Sequence, residues 1–200
     1  ARDIFFFILE HPDGVSREKI EGVFWPEATP AQLNFIFKKT MYRLRRAFET
    51  DPILFNGDRY AFDFKGDYEY DVEEWERALK QAAQTADVHE KHAAFLAAVT
   101  LYKGAFLPEV DGLWVSEKRE YFHRKFMEAN LFLGQSFLTQ GNFTKVLEFC
   151  ETLLSLDGGN EEAHRLAMQA HAARGNRGEV VRQYNLCVKN LKKEYGIAPS

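Results

Sequence analysis

The sequence predicts a mainly α protein built in two parts. The first is a winged helix-turn-helix of three helices and a C-terminal β-hairpin; the second is a tetratricopeptide-like helical domain. Three observations carry this. Between Ser16 and Glu49 a capped short helix, a Pro-marked turn and a long amphipathic helix follow one another. Apolar residues then alternate around Asn56, Gly57 and Asp58, a strong short-range hairpin signal. Beyond about residue 70 the helical periodicity is nearly continuous, and Gly141 and Gly175, each between two helices, stand 34 residues apart.

Residues 2–11 read as an apolar helix, with Gly14 reversing the chain after it. Ser16 is a good N-cap for a second helix, and Glu18 in its first turn suits the helix dipole. That helix runs to about Trp25 with Ile20, Val23 and Phe24 inward, and Pro26 stops it. Thr29 caps the third helix, Pro30 takes the first position where a missing N–H costs nothing, and Gln32 completes a capping box. This helix covers about 30–49. Leu33, Phe37, Met41, Leu44 and Phe48 make one buried stripe along it. Gln32, Phe35, Lys39, Tyr42, Arg43 and Arg46 fall on the far side, Arg43 near the middle of the arc, with Lys38 and Arg45 at the edges. The hairpin follows over 53–64, with Arg59 in its turn.

The second part reads as helices over 72–86, 90–103, 114–139, 143–156, 160–173 and 177–195, broken at 103–112. Inward residues are Val72, Trp75, Ala78, Leu79 and Ala82 on the first, and Ala93, Leu96, Ala97 and Leu101 on the second. At the offset of 34, Val146 pairs with Val180, Cys150 with Tyr184 and Leu154 with Val188, so both valines are expected in equivalent buried places. The acidic stretch at 65–74 marks the seam, giving domains 1–66 and 67–200.

Charge separates the two parts. The chain has 26 Lys and Arg against 30 Asp and Glu, a formal net charge of −4. The stretch "FKKTMYRLRRAF" at 37–48 nevertheless holds five basic residues and no acid. Such a face on a long helix after a turn fits the DNA major groove, where Lys and Arg reach phosphates and guanine edges. Ser16 and the amides beginning the second helix can hold a phosphate, and Arg59 can touch backbone or minor groove. The DNA-binding candidates are Ser16, Gln32, Lys38, Lys39, Tyr42, Arg43, Arg46 and Arg59, with double-stranded promoter DNA as partner. Residues 67–200 carry the whole deficit, sixteen basic against twenty acidic, which points to a basic or mixed protein partner there. Phe35 and Ile36 and the neutral balance of residues 1–66 favour the alternative, a protein-interaction or scaffold module whose winged helix does not bind DNA.

Other chemistry finds little footing. No apolar run is long enough for a membrane span, and two cysteines suggest neither a disulfide framework nor zinc. His89 and His92 lack the spacing of a zinc-peptidase motif and read as an exposed polar turn, while His164 and His171 read as packing or facing solvent between repeats. No phosphate-binding glycine loop or nucleophile elbow occurs. The expectation is a non-enzyme without metal or cofactor, in the bacterial cytoplasm, and a fragment of a longer protein.

Two resemblances sharpen this. "HPDGVSREKIEGVFWPEATP", "YRLRRAF" and "NGDRYAF" resemble the winged helix of OmpR-type regulators, as found in the AfsR/DnrI-like antibiotic regulatory family. "YDVEEWERAL", "AVTLYKGAFLPE", Trp114 and the terminal run from "NEEAHRLAMQAHAARG" to "EYGIAPS" resemble the bacterial transcriptional activator domain that follows it there. The resemblance implies a DNA-binding activator whose helical domain dimerises or contacts RNA polymerase. It places recognition contacts at Lys39, Tyr42, Arg43 and Arg46. OmpR-type domains carry an N-terminal sheet before the first helix, where this sequence begins, so the wing is expected to have fewer strands to pair with, and a lone hairpin is marginal.

Overall fold

The structure, a computed structural model, describes residues 1–199. They divide into two compact units: Ala1–Glu69 with Glu109–Gly112, and Tyr70–Pro108 with Leu113 onward. The fold is mainly helical, a winged helix-turn-helix followed by a tetratricopeptide-like stack.

In the first unit α1 (Arg2–Leu9), α2 (Arg17–Phe24) and α3 (Pro30–Arg45) precede β2 (Ile53–Asn56) and β3 (Arg59–Phe62). The hairpin does not stand alone. Val15 and Ser16 form a short β1 that pairs antiparallel with β3, Val15 opposite Tyr60 and Ser16 opposite Arg59, giving the order β1-β3-β2. Two residues before a helix carry too little pattern to read as a strand, which is why the sequence concealed it. In the β2–β3 turn only Gly57 has a positive φ, +68°, as a turn with glycine first requires, and Asn56 stays in the ladder opposite Arg59.

The core gathers Ile4, Phe7 and Ile8 of α1, Ile20 of α2, Phe37, Met41 and Leu44 of α3, and Val15 and Ile53 of the sheet. Two inward expectations fail, at Val23 and Phe48, and two, at Phe24 and Leu33, are met only in part. Val23 is 40% exposed, because eight residues of α2 turn only one narrow face to α1 and α3. Leu33 is half-buried. Phe48 lies beyond the end of α3, 41% exposed, with its ring 5.0 Å from that of Phe5.

The second unit holds α4 (Asp71–Gln84), α5 (Val88–Leu101), α6 (Leu113–Thr139), α7 (Phe143–Leu156), α8 (Glu161–Ala173) and α9 (Arg177–Glu194), each packed on the next, with α6 also touching α8. Trp75, Ala78, Leu79 and Ala82 are buried on α4 as expected. On α5 the inward face is rotated: Ala94, Phe95 and Ala98 are buried, while Ala93, Leu96 and Ala97 are exposed. Ala93, Ala94, Ala97 and Ala98 give that helix little pattern of its own, and the large Phe95 goes inside. His89 and His92 lie on α5 rather than in a turn, and His92 Nδ1 stands 2.8 Å from Ser136 Oγ.

The offset of 34 is written into the backbone. Asn142 N–H donates to the Phe137 carbonyl and Asn176 N–H to the His171 carbonyl, both at 2.9 Å, with Gly141 and Gly175 at φ +73° and +75°. Side chains follow the repeat less closely. Val146 and Cys150 are fully buried against Leu166, Ala167 and Ala170, whereas Val180 is half-buried and Tyr184 is 51% exposed. The α7 face has α8 over it; α9 has no following helix among the described residues.

Two close approaches fix the stack. A Cβ at Gly134 would stand 2.5 Å from Leu166 Cδ2, so α6 and α8 meet where only glycine leaves room. Gly134→Ala is expected to lower stability by about 1–3 kcal/mol through overpacking, read as a fall in the urea midpoint at constant slope. An unchanged midpoint would mean that Leu166 turns aside freely. His164, fully buried, joins α8 to α9: its Nε2 donates to the Gly158 carbonyl at 3.0 Å, its Nδ1 lies 2.6 Å from Gln183 Nε2, and Asn190 donates to the same carbonyl at 2.8 Å.

Candidate nucleic-acid interface

The helix pair α2–α3 begins from two caps. Ser16 Oγ accepts from Lys19 N–H at 3.2 Å, satisfying one of the free donors that open α2. At α3 the Gln32 side-chain carbonyl accepts from both the Thr29 N–H and the Thr29 hydroxyl, each at 2.9 Å. Gln32 is therefore occupied in fixing the helix start. Ser16→Ala is expected to cost about 1 kcal/mol of stability, measured by urea unfolding, and a loss below a few tenths would show the cap to be idle.

On the outer side of α3, Phe35, Lys39, Tyr42 and Arg46 recur at steps of four, three and four, so they form one row. Phe35 is 66% and Tyr42 61% exposed. Lys39 Nζ sits 5.6 Å from the Phe35 ring centre, and the Arg46 guanidinium 5.8 Å from that of Tyr42 while also donating to its hydroxyl at 3.4 Å. The row is thus two aromatic–cation pairs in tandem, which hold flexible cationic heads near fixed rings. At about 100° per residue Arg43 lies roughly 50° to one side of the centre of the outward face, so Lys39 and Arg46 hold the middle of the exposed arc in its place. Arg43 and Lys38 are both exposed and make no ion pair among the described residues. Arg45 is paired with Asp51 at 2.8 Å, an exposed contact of little energetic weight.

The wing presents different chemistry from the one expected. Its tip is Gly57 and Asp58, a carboxylate rather than a cation. Arg59 donates to the Gly14 carbonyl at 3.1 Å, which ties its guanidinium to the base of the wing. Between α3 and the wing runs an open groove of about 350 Å³, bounded by Arg17, Lys38, Tyr42, Arg45, Phe55 and Tyr60. Phe55 and Tyr60 are cross-strand partners with rings 4.7 Å apart. Arg17 is held by Glu21 at 2.6 Å and lies 4.7 Å from the Phe37 ring centre. Sequence reading passed over Arg17 and Phe55; register arithmetic across the two-residue turn would have paired Phe55 with Tyr60.

Elsewhere the molecule shows no cluster of three metal-ligating side chains among the described residues. Burial pushes the Cys150 thiol up to about 12 and raises that of Cys187, so neither is a thiolate nucleophile near neutrality. No helix among the described residues is long and apolar enough to cross a membrane.

Comparison with known proteins follows the two-part architecture. A family model described as the bacterial transcriptional activator domain matches residues 70–200. The structure of Mycobacterium tuberculosis EmbR in complex with a low-affinity phosphopeptide superposes with a TM-score of 0.69 at 15% identity, covering 94% of this chain and 52% of that one. At that identity the likeness concerns fold alone, and this chain spans about half the length of the EmbR chain. No curated protein matches.

Proposed function

This chain belongs to the bacterial transcriptional activator domain family, and from that membership we propose that it is part of a DNA-binding transcriptional activator. Residues 1–66 are the DNA-binding domain in this reading, with α3 in the major groove; residues 67–200 serve self-association or contact with RNA polymerase, in the bacterial cytoplasm. The observation that carries it is the outward row of α3. Lys39 and Arg46, flanked by Lys38 and Arg43, crowd positive charge onto an exposed helix that follows a turn, within residues 1–66, which hold ten basic and ten acidic residues in all. Phosphates reward such a row, and Tyr42 and Phe35 offer apolar contact to thymine methyl groups. Ser16 is the α2 cap, where N-terminal amides suit a phosphate. The wing contributes less, since its tip is acidic and Arg59 is engaged.

Fluorescence anisotropy with the natural promoter and a scrambled duplex across a salt series tests this. Affinity is expected to fall linearly on a log–log plot, with a slope reflecting about three to five phosphate contacts. Phe35, 66% exposed at the head of the row, favours the protein-interaction reading instead. Salt-independent or undetectable duplex binding decides for that second reading.

A further inference from the structure

One groove in the helical unit gathers lysines from three helices. It measures about 240 Å³ and is bounded by α4, α5 and α6. Lys80, Lys91 and Lys125, one from each helix, line it together. Its carboxylates are already engaged: Glu128 pairs with Lys125 at 2.7 Å, and Glu76 with Lys118 at 3.3 Å. Lys80 and Lys91 make no ion pair among the described residues. Lys91 is half-buried and held over two rings, 5.9 Å from the centre of Phe95 and 5.2 Å from that of Phe132. A lysine fixed on aromatic faces has given up part of its rotamer freedom before anything binds, so pairing it costs less. Ala83 and Tyr121, both exposed, supply an apolar wall.

We propose that this groove docks an acidic, extended peptide segment of a partner protein, its carboxylates on Lys80 and Lys91 and one aliphatic side chain against Ala83 and Tyr121. The two uncompensated ammonium groups set the sign of the ligand in a unit whose sixteen basic and sixteen acidic residues balance. The volume admits a side chain or two and excludes a whole helix. The inference is independent of DNA binding by α3, because its residues all lie on α4, α5 and α6.

The test uses the full chain and a short fluorescein-labelled peptide of alternating glutamate and leucine, read by anisotropy. The same peptide with glutamine for glutamate and with lysine for glutamate are the controls. The glutamate peptide is expected to bind and the controls not to. Lys80→Gln with Lys91→Gln is expected to weaken binding at least about tenfold and flatten its salt dependence, with the circular dichroism melt unchanged. Lys39→Gln with Arg46→Gln on α3 is expected to leave peptide binding intact. The proposal is overturned if the glutamate peptide fails to bind at millimolar concentration, if the glutamine peptide binds as well, or if only the α3 substitutions matter. Self-association in sedimentation that the Lys80 and Lys91 substitutions abolish would assign the groove to a second copy of the chain, and equally overturn it. Should those two substitutions shift the melt, Lys80→Gln alone, at an exposed residue, carries the same comparison: a loss of affinity supports the proposal and no change overturns it.

Discussion

Val146→Asp is expected to unfold the helical unit, while Val180→Asp leaves it folded. The two valines occupy the same place in the 34-residue repeat, yet Val146 is sealed among Leu166, Ala167 and Ala170, and Val180 is half-buried. An aspartate at Val146 has no partner in that cluster, so it must stay charged without solvent or take a proton at neutral pH. The expected loss is roughly 4 kcal/mol or more, against about 1 kcal/mol at Val180, where the carboxylate can reach water. Urea unfolding followed by circular dichroism separates the two. Equal losses would show that something covers α9 in solution as α8 covers α7.

The second large effect concerns α3. Lys39→Ala together with Arg46→Ala should weaken binding to every duplex by more than tenfold at moderate salt and reduce the slope of log K against log salt by about two units. Arg43→Ala should act differently. Standing aside from the aromatic–cation row and unpaired, it is free to fork onto a guanine edge, so its loss should relax sequence preference by about 1–3 kcal/mol while leaving the slope nearly intact. Met41→Asp serves as the folding control, since Met41 is buried in the core of the first unit. If the three cations proved interchangeable, or if their loss changed nothing, α3 would not be the reading surface and its exposed Phe35 would point to a protein contact.

Much of the architecture was legible because its signals are local. Caps at Ser16 and Thr29, the glycines at 141 and 175 and the apolar stripe on α3 depend on neighbours within a few residues, and the helix limits follow them closely. What escaped depends on distant partners. β1 exists only because β3 lies beside it. The inward face of α5 cannot be read from a helix rich in alanine, since packing against α4 and α6 selects it. His164 offered the choice of core or solvent, and only the Gly158 carbonyl and Gln183, brought together by the fold, make it a satisfied buried group. On the candidate surface, the pairing of Lys39 with Phe35 and Arg46 with Tyr42 follows from steps of four along a helix and was readable in principle. The capping role of Gln32 follows from its spacing to Thr29, but the withdrawal of Arg59 onto the Gly14 carbonyl was not readable, because it depends on which distant acceptor the fold brings near.

Ser16 holds two positions at once: it is the last residue of β1, opposite Arg59, and the cap of α2 through Lys19. A strand edge and a helix end that share one residue open together. Peeling β3 away from β1 would release the first turn of α2 as well, so the amide protons of Lys19 and Tyr60 are expected to belong to one exchange unit rather than two. A protease finding the wing in its detached state would find the start of α2 loosened in the same event. The two-residue β1, the shortest strand among the described residues, is thus expected to bind the lifetime of the wing to that of the helix that supports α3.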